Sequence, residues 1–309
     1  MAINCNLIID SCCDLPHDVV DREGVYLVKY RYFDTAGEHL DDLYNTDTPQ
    51  TFYDMMRNGG EPHTAQVPMS DLEEAFSWAA NCGKPVVYLS FSSGLSGTFD
   101  TASVVLSQMK QDNPDLPIYL VDTRLASVAE ALLVFEALRQ RERGLSAQEM
   151  VTWAEEARFF VDAQFMVDDL ESLRRGGRIP SSVAFAGAKL DVKPLLSIDA
   201  DGKLTLSGVA RGRKKGIKAL VDYYMKRRAS DRPGQDVVIG DADCKKDSAR
   251  LIELLKKEDE SIMVLNSSIG PVIGSHVGPG MLAVVFWGND KRQDVSVADR
   301  IANKVRGTK

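Results

Sequence analysis

Pro85-Val86-Val87-Tyr88-Leu89-Ser90-Phe91-Ser92-Ser93-Gly94-Leu95-Ser96-Gly97-Thr98 is the stretch that decides the fold. Its first six residues are a short apolar run rich in β-formers, which predicts a strand. The serines and glycines that follow predict a turn, and Thr98 to Lys110 predicts a helix. A strand that passes through a tight turn into a helix is half of a parallel crossover unit. The same order recurs on both sides. Ile3 to Ile9 reads as a buried strand stopping at Asp10-Ser11, and Val25 to Tyr32 as a second strand. Asp71 to Ala80 reads as a helix capped by Ser70. Ile118 to Val121 is a strand, Ala126 to Arg143 a long helix, and Ser146 caps another helix running to about Phe160. This alternation indicates a parallel sheet with helices on its faces.

Beyond that point the pattern changes. Gln164 to Val167 is a short strand. Lys193 to Ile198 and Lys203 to Val209 flank Asp201-Gly202, a hairpin signal. Lys214 to Arg228 and Asp247 to Lys257 are helical, while Asp236 to Ile239, Ile262 to Leu265 and Leu282 to Trp287 read as strands. The expected architecture is therefore α/β with two α/β domains. Residues 1–161 form a parallel-sheet domain and residues 162–309 a mixed-sheet domain, with the crevice between them as the natural ligand site. Val295 to Val305 is expected to add a short surface helix.

Composition bounds the function. The chain has 309 residues, 44% of them hydrophobic and 27% charged, an ordinary globular balance. With 37 Lys+Arg against 45 Asp+Glu the formal charge is −8, which argues against a nucleic-acid binder. No apolar run approaches the roughly 18–20 residues that span a bilayer, and the first residues lack the features of a secretory signal. The five cysteines (Cys5, Cys12, Cys13, Cys82 and Cys244) contain no zinc-like pair and read as reduced thiols. A soluble, cytoplasmic protein without a metal is the expectation.

Five polar segments can carry chemistry. The turn from Phe91 to Gly97 presents backbone N–H groups, the start of a helix and several hydroxyls, all suited to an anion. A serine-rich helix cap explains the same residues equally well. The turn has neither a phosphate-loop pattern nor the G-x-S-x-G elbow of hydrolases. His63-Thr64-Ala65-Gln66-Val67-Pro68 has no strong secondary pattern and by itself reads as a surface loop. Ile269 to Gly280, with two glycine–proline steps, predicts a compact turn around His276, a core residue or a site donor. Arg174-Arg175-Gly176-Gly177-Arg178 reads as a helix end for its first two arginines, while Arg178 beyond the glycines is free to meet an oxyanion. Arg211-Gly212-Arg213-Lys214-Lys215 is a basic run, either a solvated helix start or a docking patch. The carboxylates of Asp10 and Asp122 end strands, where capping is the commoner role.

Taken in order, these segments resemble the DegV family of bacterial lipid-binding proteins. The resemblance runs through Ile8 to Pro16, Thr64-Ala65-Gln66, Ser92 to Thr98, Val121-Asp122-Thr123, Asp169-Leu170 to Ile179, Lys193-Pro194, Asp201-Gly202 and Ile269 to Gly280. It implies two α/β domains enclosing one long-chain fatty acid in a tunnel. The carboxylate would be held by Thr64, Ser93 and His276 with Ser92 close by, and Arg178, Gly94 and Ser96 in support. The resemblance further implies a carrier that is not itself an enzyme and needs no cofactor. An ATP-dependent fatty acid kinase subunit would turn the bound acid into its acyl phosphate, docking at Arg211 with Arg213, Lys214 and Lys215. Cys12-Cys13, His63 and Ala65 depart from the family's pattern. A competing reading, from the residues alone, is an enzyme acting on a small carboxylated or phosphorylated metabolite, with Ser93 and His276 as catalytic groups.

Overall fold

The computed structural model describes residues 2–180, 191–229 and 235–294. The expected helix at Val295–Val305 lies outside the described residues. The first sheet has the order β2-β1-β6-β7, built from β1 (Asn6–Asp10), β2 (Val25–Val28), β6 (Val86–Ser90) and β7 (Ile118–Asp122). All its pairs are parallel, and β1 and β6 are buried along their whole length. That burial explains why they read as unbroken apolar runs and not as alternating ones. The connections carry a 3-10 turn (Ser11–Cys13), α1 (His17–Val20), α3 (Met69–Asn81), α4 (Thr98–Asp112), α5 (Val128–Glu142) and α6 (Ala147–Ala157). Ser146 and Glu149 cap α6 reciprocally. Ser70 does not cap α3. The helix begins at Met69 after Pro68, which places Ser70 inside the first turn with its hydroxyl on Asp71.

The second sheet has the order β10-β9-β8-β13-β11-β12. Its strands are β8 (Val161–Met166), β9 (Val192–Ile198), β10 (Leu204–Arg211), β11 (Asp236–Asp241), β12 (Met263–Ser268) and β13 (Leu282–Trp287). Only β11 and β12 run parallel; the other neighbours are antiparallel, so the sheet is mixed. The strand period of two divides its residues sharply. Met166, Leu282, Val284 and Phe286 join a core beneath α8 (Arg213–Arg227) and α9 (Lys245–Glu258). Ala163, Phe165, Ala283 and Val285 face the other way, into the main core shared with the first sheet.

The run Val25–Tyr32, read as one strand, is two. After Val28 the chain leaves the first sheet, and the Tyr30 N–H donates to the Ser11 hydroxyl at 3.0 Å instead of to a strand neighbour. Beyond that break β3 (Arg31–Asp34) enters a small antiparallel sheet, β4-β3-β5, with β4 (Gly37–Leu40) and β5 (His63–Ala65). Between β4 and β5 lies α2 (Pro49–Arg57), capped by Thr48. The compact turn expected around His276 is a helix, α10 (Pro271–Val277), opened by Pro271 and ended by Gly278 at φ 73°. The remaining short helix, α7 (Glu171–Arg175), closes at Gly176-Gly177 as read. Among the described residues no helix is long and apolar enough to cross a membrane.

Candidate functional site

A narrow cavity of about 80 Å³ lies between the ends of the first sheet and the inner face of the second. Ala163, Phe165, Ala283 and Val285 form one wall, and Phe91, Leu95, Ala126 and Val128 contribute the opposite side. Most of the lining is apolar. The polar exceptions are Thr64, Gln66, Ser96, Ser127, Arg178 and His276. An apolar interior with a few polar groups is the usual composition of a small-molecule site.

Two of the polar groups come from distant parts of the chain. Thr64 is the middle residue of β5, so its side chain turns inward while His63 and Ala65 stay exposed. His276 stands on α10, and its Nε2 lies 2.8 Å from the Thr64 hydroxyl. Burial, reinforced by the charges of Arg178 and Arg175, pushes the His276 imidazole down to about 3. It is therefore neutral near pH 7. Its Nδ1 is buried without a hydrogen-bond partner, because the ring edge abuts Gly176, where a Cβ would stand 2.1 Å from that nitrogen. A neutral imidazole and a hydroxyl can each donate to an anion that a buried cation would otherwise have to neutralise.

The serine-rich turn divides its hydroxyls. Ser92 is buried and donates to the Gly202 carbonyl at 2.8 Å, so it ties the turn to the β9–β10 hairpin. Gly94 serves the same contact, since a Cβ there would lie 2.9 Å from the Asp201 and Gly202 carbonyl oxygens. Ser93 points out of the site. Its N–H and hydroxyl both donate to Asp122, at 3.1 and 2.7 Å, and it is exposed. The hydroxyl of this turn that lines the cavity belongs to Ser96, within 3.1 Å of the Thr98 hydroxyl. The Ser93–His276 pair that an enzyme reading requires is thus not formed: Asp122 holds one member and Thr64 the other. Asp10 accepts from the Tyr88 hydroxyl and the Phe91 N–H, both at 2.6 Å, and so anchors the start of the turn. Burial raises its carboxyl to about 7.

Arg178 reaches the cavity as expected of the residue beyond the glycines. Its Nε donates to the Leu95 carbonyl at 3.1 Å and another guanidinium N–H to the Gly176 carbonyl at 2.6 Å. Gln66, Ser127, Tyr30 and Cys12 also line the cavity and were not read as site residues. Gln66 lies just past the end of β5, where no strand period carries a signal. Ser127 holds φ 55° and ψ −140°, and no sequence signal marks that conformation. In the basic run Arg211, Lys214 and Lys215 are exposed. Arg213 differs: it pairs with Asp247 at 2.5 Å and with Asp168 at 3.0 Å, so it belongs to an internal ion network and not to a free docking surface. Among the described residues, no group of three or more His, Cys, Asp or Glu is placed to hold a metal.

The chain is similar along most of its length to known proteins. A DegV domain-containing protein of Clostridium perfringens is 36% identical over 286 residues, 92% of this chain and 98% of its own. A DegV family protein of Thermus thermophilus, described by its fatty acid binding, matches with a TM-score of 0.82 at 27% identity, covering 93% of this chain and all of its own (100%). The fatty acid kinase B3 protein of Streptococcus pneumoniae, solved loaded with linoleic acid, shares the fold with a TM-score of 0.79 at 19% identity, covering 93% of this chain and 100% of its own. The model of an uncharacterised protein family, DegV, matches residues 4–289. That span takes in the strand end at Asp10, the turn from Ser92 to Thr98 and the helix bearing His276, and the chain belongs to the DegV family.

Proposed function

We propose that this protein binds a single long-chain fatty acid and presents it to a partner kinase that forms the acyl phosphate. The observation that carries the reading is the Thr64–His276 pair, 2.8 Å apart, at the polar margin of an otherwise apolar cavity. A carboxylate taken out of water needs several donors to offset its desolvation. Thr64 and His276 would supply two, with Ser96, Gln66 and Arg178 beside them. In this reading Ser96 takes the part expected of Ser93, and Ser92 and Gly94 hold the turn in place. The tail would lie against Ala163, Phe165, Ala283 and Val285, and each buried CH₂ would contribute about 0.8 kcal/mol. Most of the affinity would come from the tail, and the carboxylate contacts would fix its direction.

The chain acts here as a carrier in a compartment where the kinase is found, the cytoplasm. Exposed Arg211, Lys214 and Lys215 form the surface offered to that partner. The fatty acid named for the Thermus relative and the kinase named for the Streptococcus one are the support that comparison lends. The test is mass spectrometry of the purified protein, first native and then after organic extraction. One long-chain fatty acid per chain is the expected result. A protein that arrives empty and takes up no added fatty acid would sink the proposal.

A further inference from the structure

A wider groove, of about 720 Å³, opens where helices α5 and α6 meet the second sheet. Trp153 of α6, Phe160 and Trp287 of β13 line it, and all three are half-buried. Glu136, Glu156 and Asp236 line it too, but they already pair with Arg139, Arg143 and Arg292. The aromatic surface, not net charge, therefore selects what covers the groove. The chain arrives at its edge with Lys291–Asp294, the last of the described residues. There the Lys291 N–H donates to the Phe159 carbonyl at 2.9 Å, and Arg292 donates to Glu156 at 3.1 Å. Residues 295–309 follow, beyond the span to residue 289 that the family model matches.

The helix expected over Val295–Val305 has a decided pattern. Val297, Ala298, Ile301, Ala302 and Val305 recur at spacings of three and four, which makes one apolar stripe, while Arg300, Asn303 and Lys304 fall on the other face. Ser296, with Asp299 three residues on, is a start signal, and Gly307 is a stop signal. An amphipathic helix this short does not hold its form alone in water; it needs a surface for its stripe. We propose that the groove is the seat of this chain's own residues 295–309, with Val297, Ile301 and Val305 against Trp153, Phe160 and Trp287. Seated there, the tail straps α5 and α6 to strands β11 and β13 of the second sheet. A segment tethered at the edge of its seat meets it at an effective concentration in the millimolar range, and so outcompetes a free partner of similar affinity.

The test compares the full chain with one ending at Asp294, by acrylamide quenching of tryptophan fluorescence. Trp78, on α3, is common to both proteins, so a difference reports Trp153 and Trp287. Removing the tail is expected to make the emission more readily quenched and to shift it to longer wavelength. A synthetic peptide of residues 295–309, added to the shortened chain, is expected to reverse both changes. The peptide carrying Ile301→Asp should bind at least about tenfold more weakly, the loss of one buried aliphatic side chain. Asn303→Ala, on the opposite face, should bind like the parent peptide. Full-length Ile301→Asp repeats the comparison without a truncation and is expected to match the shortened chain. Equal quenching of the full and shortened chains, or equal binding of the parent and Ile301→Asp peptides, overturns the proposal. Shielding in the full chain that grows with protein concentration also overturns it, because a second copy then covers the groove.

Discussion

His276 shows how much one side chain's surroundings decide. On the surface its imidazole would titrate near 6.5; in the folded protein burial and two arginines push it down to about 3. Between those values the unfolded chain binds a proton that the folded chain refuses. Stability contributed by this group is therefore intact above about pH 6.5 and is lost as the pH falls, by about 1.4 kcal/mol per pH unit. Asp10 and Asp41 act in the opposite sense. Burial raises both carboxyls to about 7, so they favour the folded state at acid pH and withdraw that support as the pH rises toward 7. A His276→Gln variant separates the two effects, because the carboxylates are common to both proteins. Urea unfolding of lipid-free wild type and variant is expected to show the wild type losing about 2 kcal/mol relative to His276→Gln between pH 7 and pH 5. A constant difference across that range would mean that His276 is solvated and charges freely.

Elements, more than residues, mark where the sequence could be read and where it could not. Strands β1 and β6 were legible because central parallel strands are apolar throughout, α4 and α5 because each is 15 residues long, and α6 because Ser146 and Glu149 mark its start. Strand β5 was not, since three residues of an edge strand carry too little period to distinguish them from a loop. Its direction decides that Thr64 faces in. The outward path of Ser93 was hidden for a similar reason: it depends on Asp122 at the end of β7, 29 residues away. Close approach of α7 and α10 was equally invisible, although Gly176 records it. Gly176 has φ −72°, so alanine suits its backbone, yet an added Cβ would strike the His276 ring. Gly176→Ala is therefore expected to displace the imidazole from Thr64. Fatty-acid affinity, followed by displacement of a fluorescent fatty acid, should fall about tenfold, as for one lost hydrogen bond. Unchanged affinity would show that the imidazole plays no part in holding the carboxylate.

At the scale of the whole molecule, the cavity exists because two sheets meet end to face. Strand alternation sends Ala163 and Ala283 inward, where small side chains leave space, and sends Met166, Val284 and Phe286 to the other core. The cavity's presence between the halves was legible, since α/β sheets bind ligands beyond their strand ends; its shape was not, because it depends on which residues of two sheets face each other. A tail that fills an apolar space gains contacts on every wall, so it stabilises the folded form. A ligand that enters only the folded form stabilises it by about 2.7 kcal/mol when present at one hundred times its Kd. For a chain of 309 residues each kcal/mol raises the unfolding temperature by roughly 1.5 °C, so saturating palmitate should raise it by about 4 °C. Octanoic acid at the same concentration should raise it far less, because every CH₂ missing from the cavity forgoes about 0.8 kcal/mol. Thermal unfolding followed by circular dichroism distinguishes the outcomes. If the two acids shift the transition equally, the carboxylate alone is recognised and the tail stays in solvent. If neither shifts it, the cavity between the sheets does not take fatty acids.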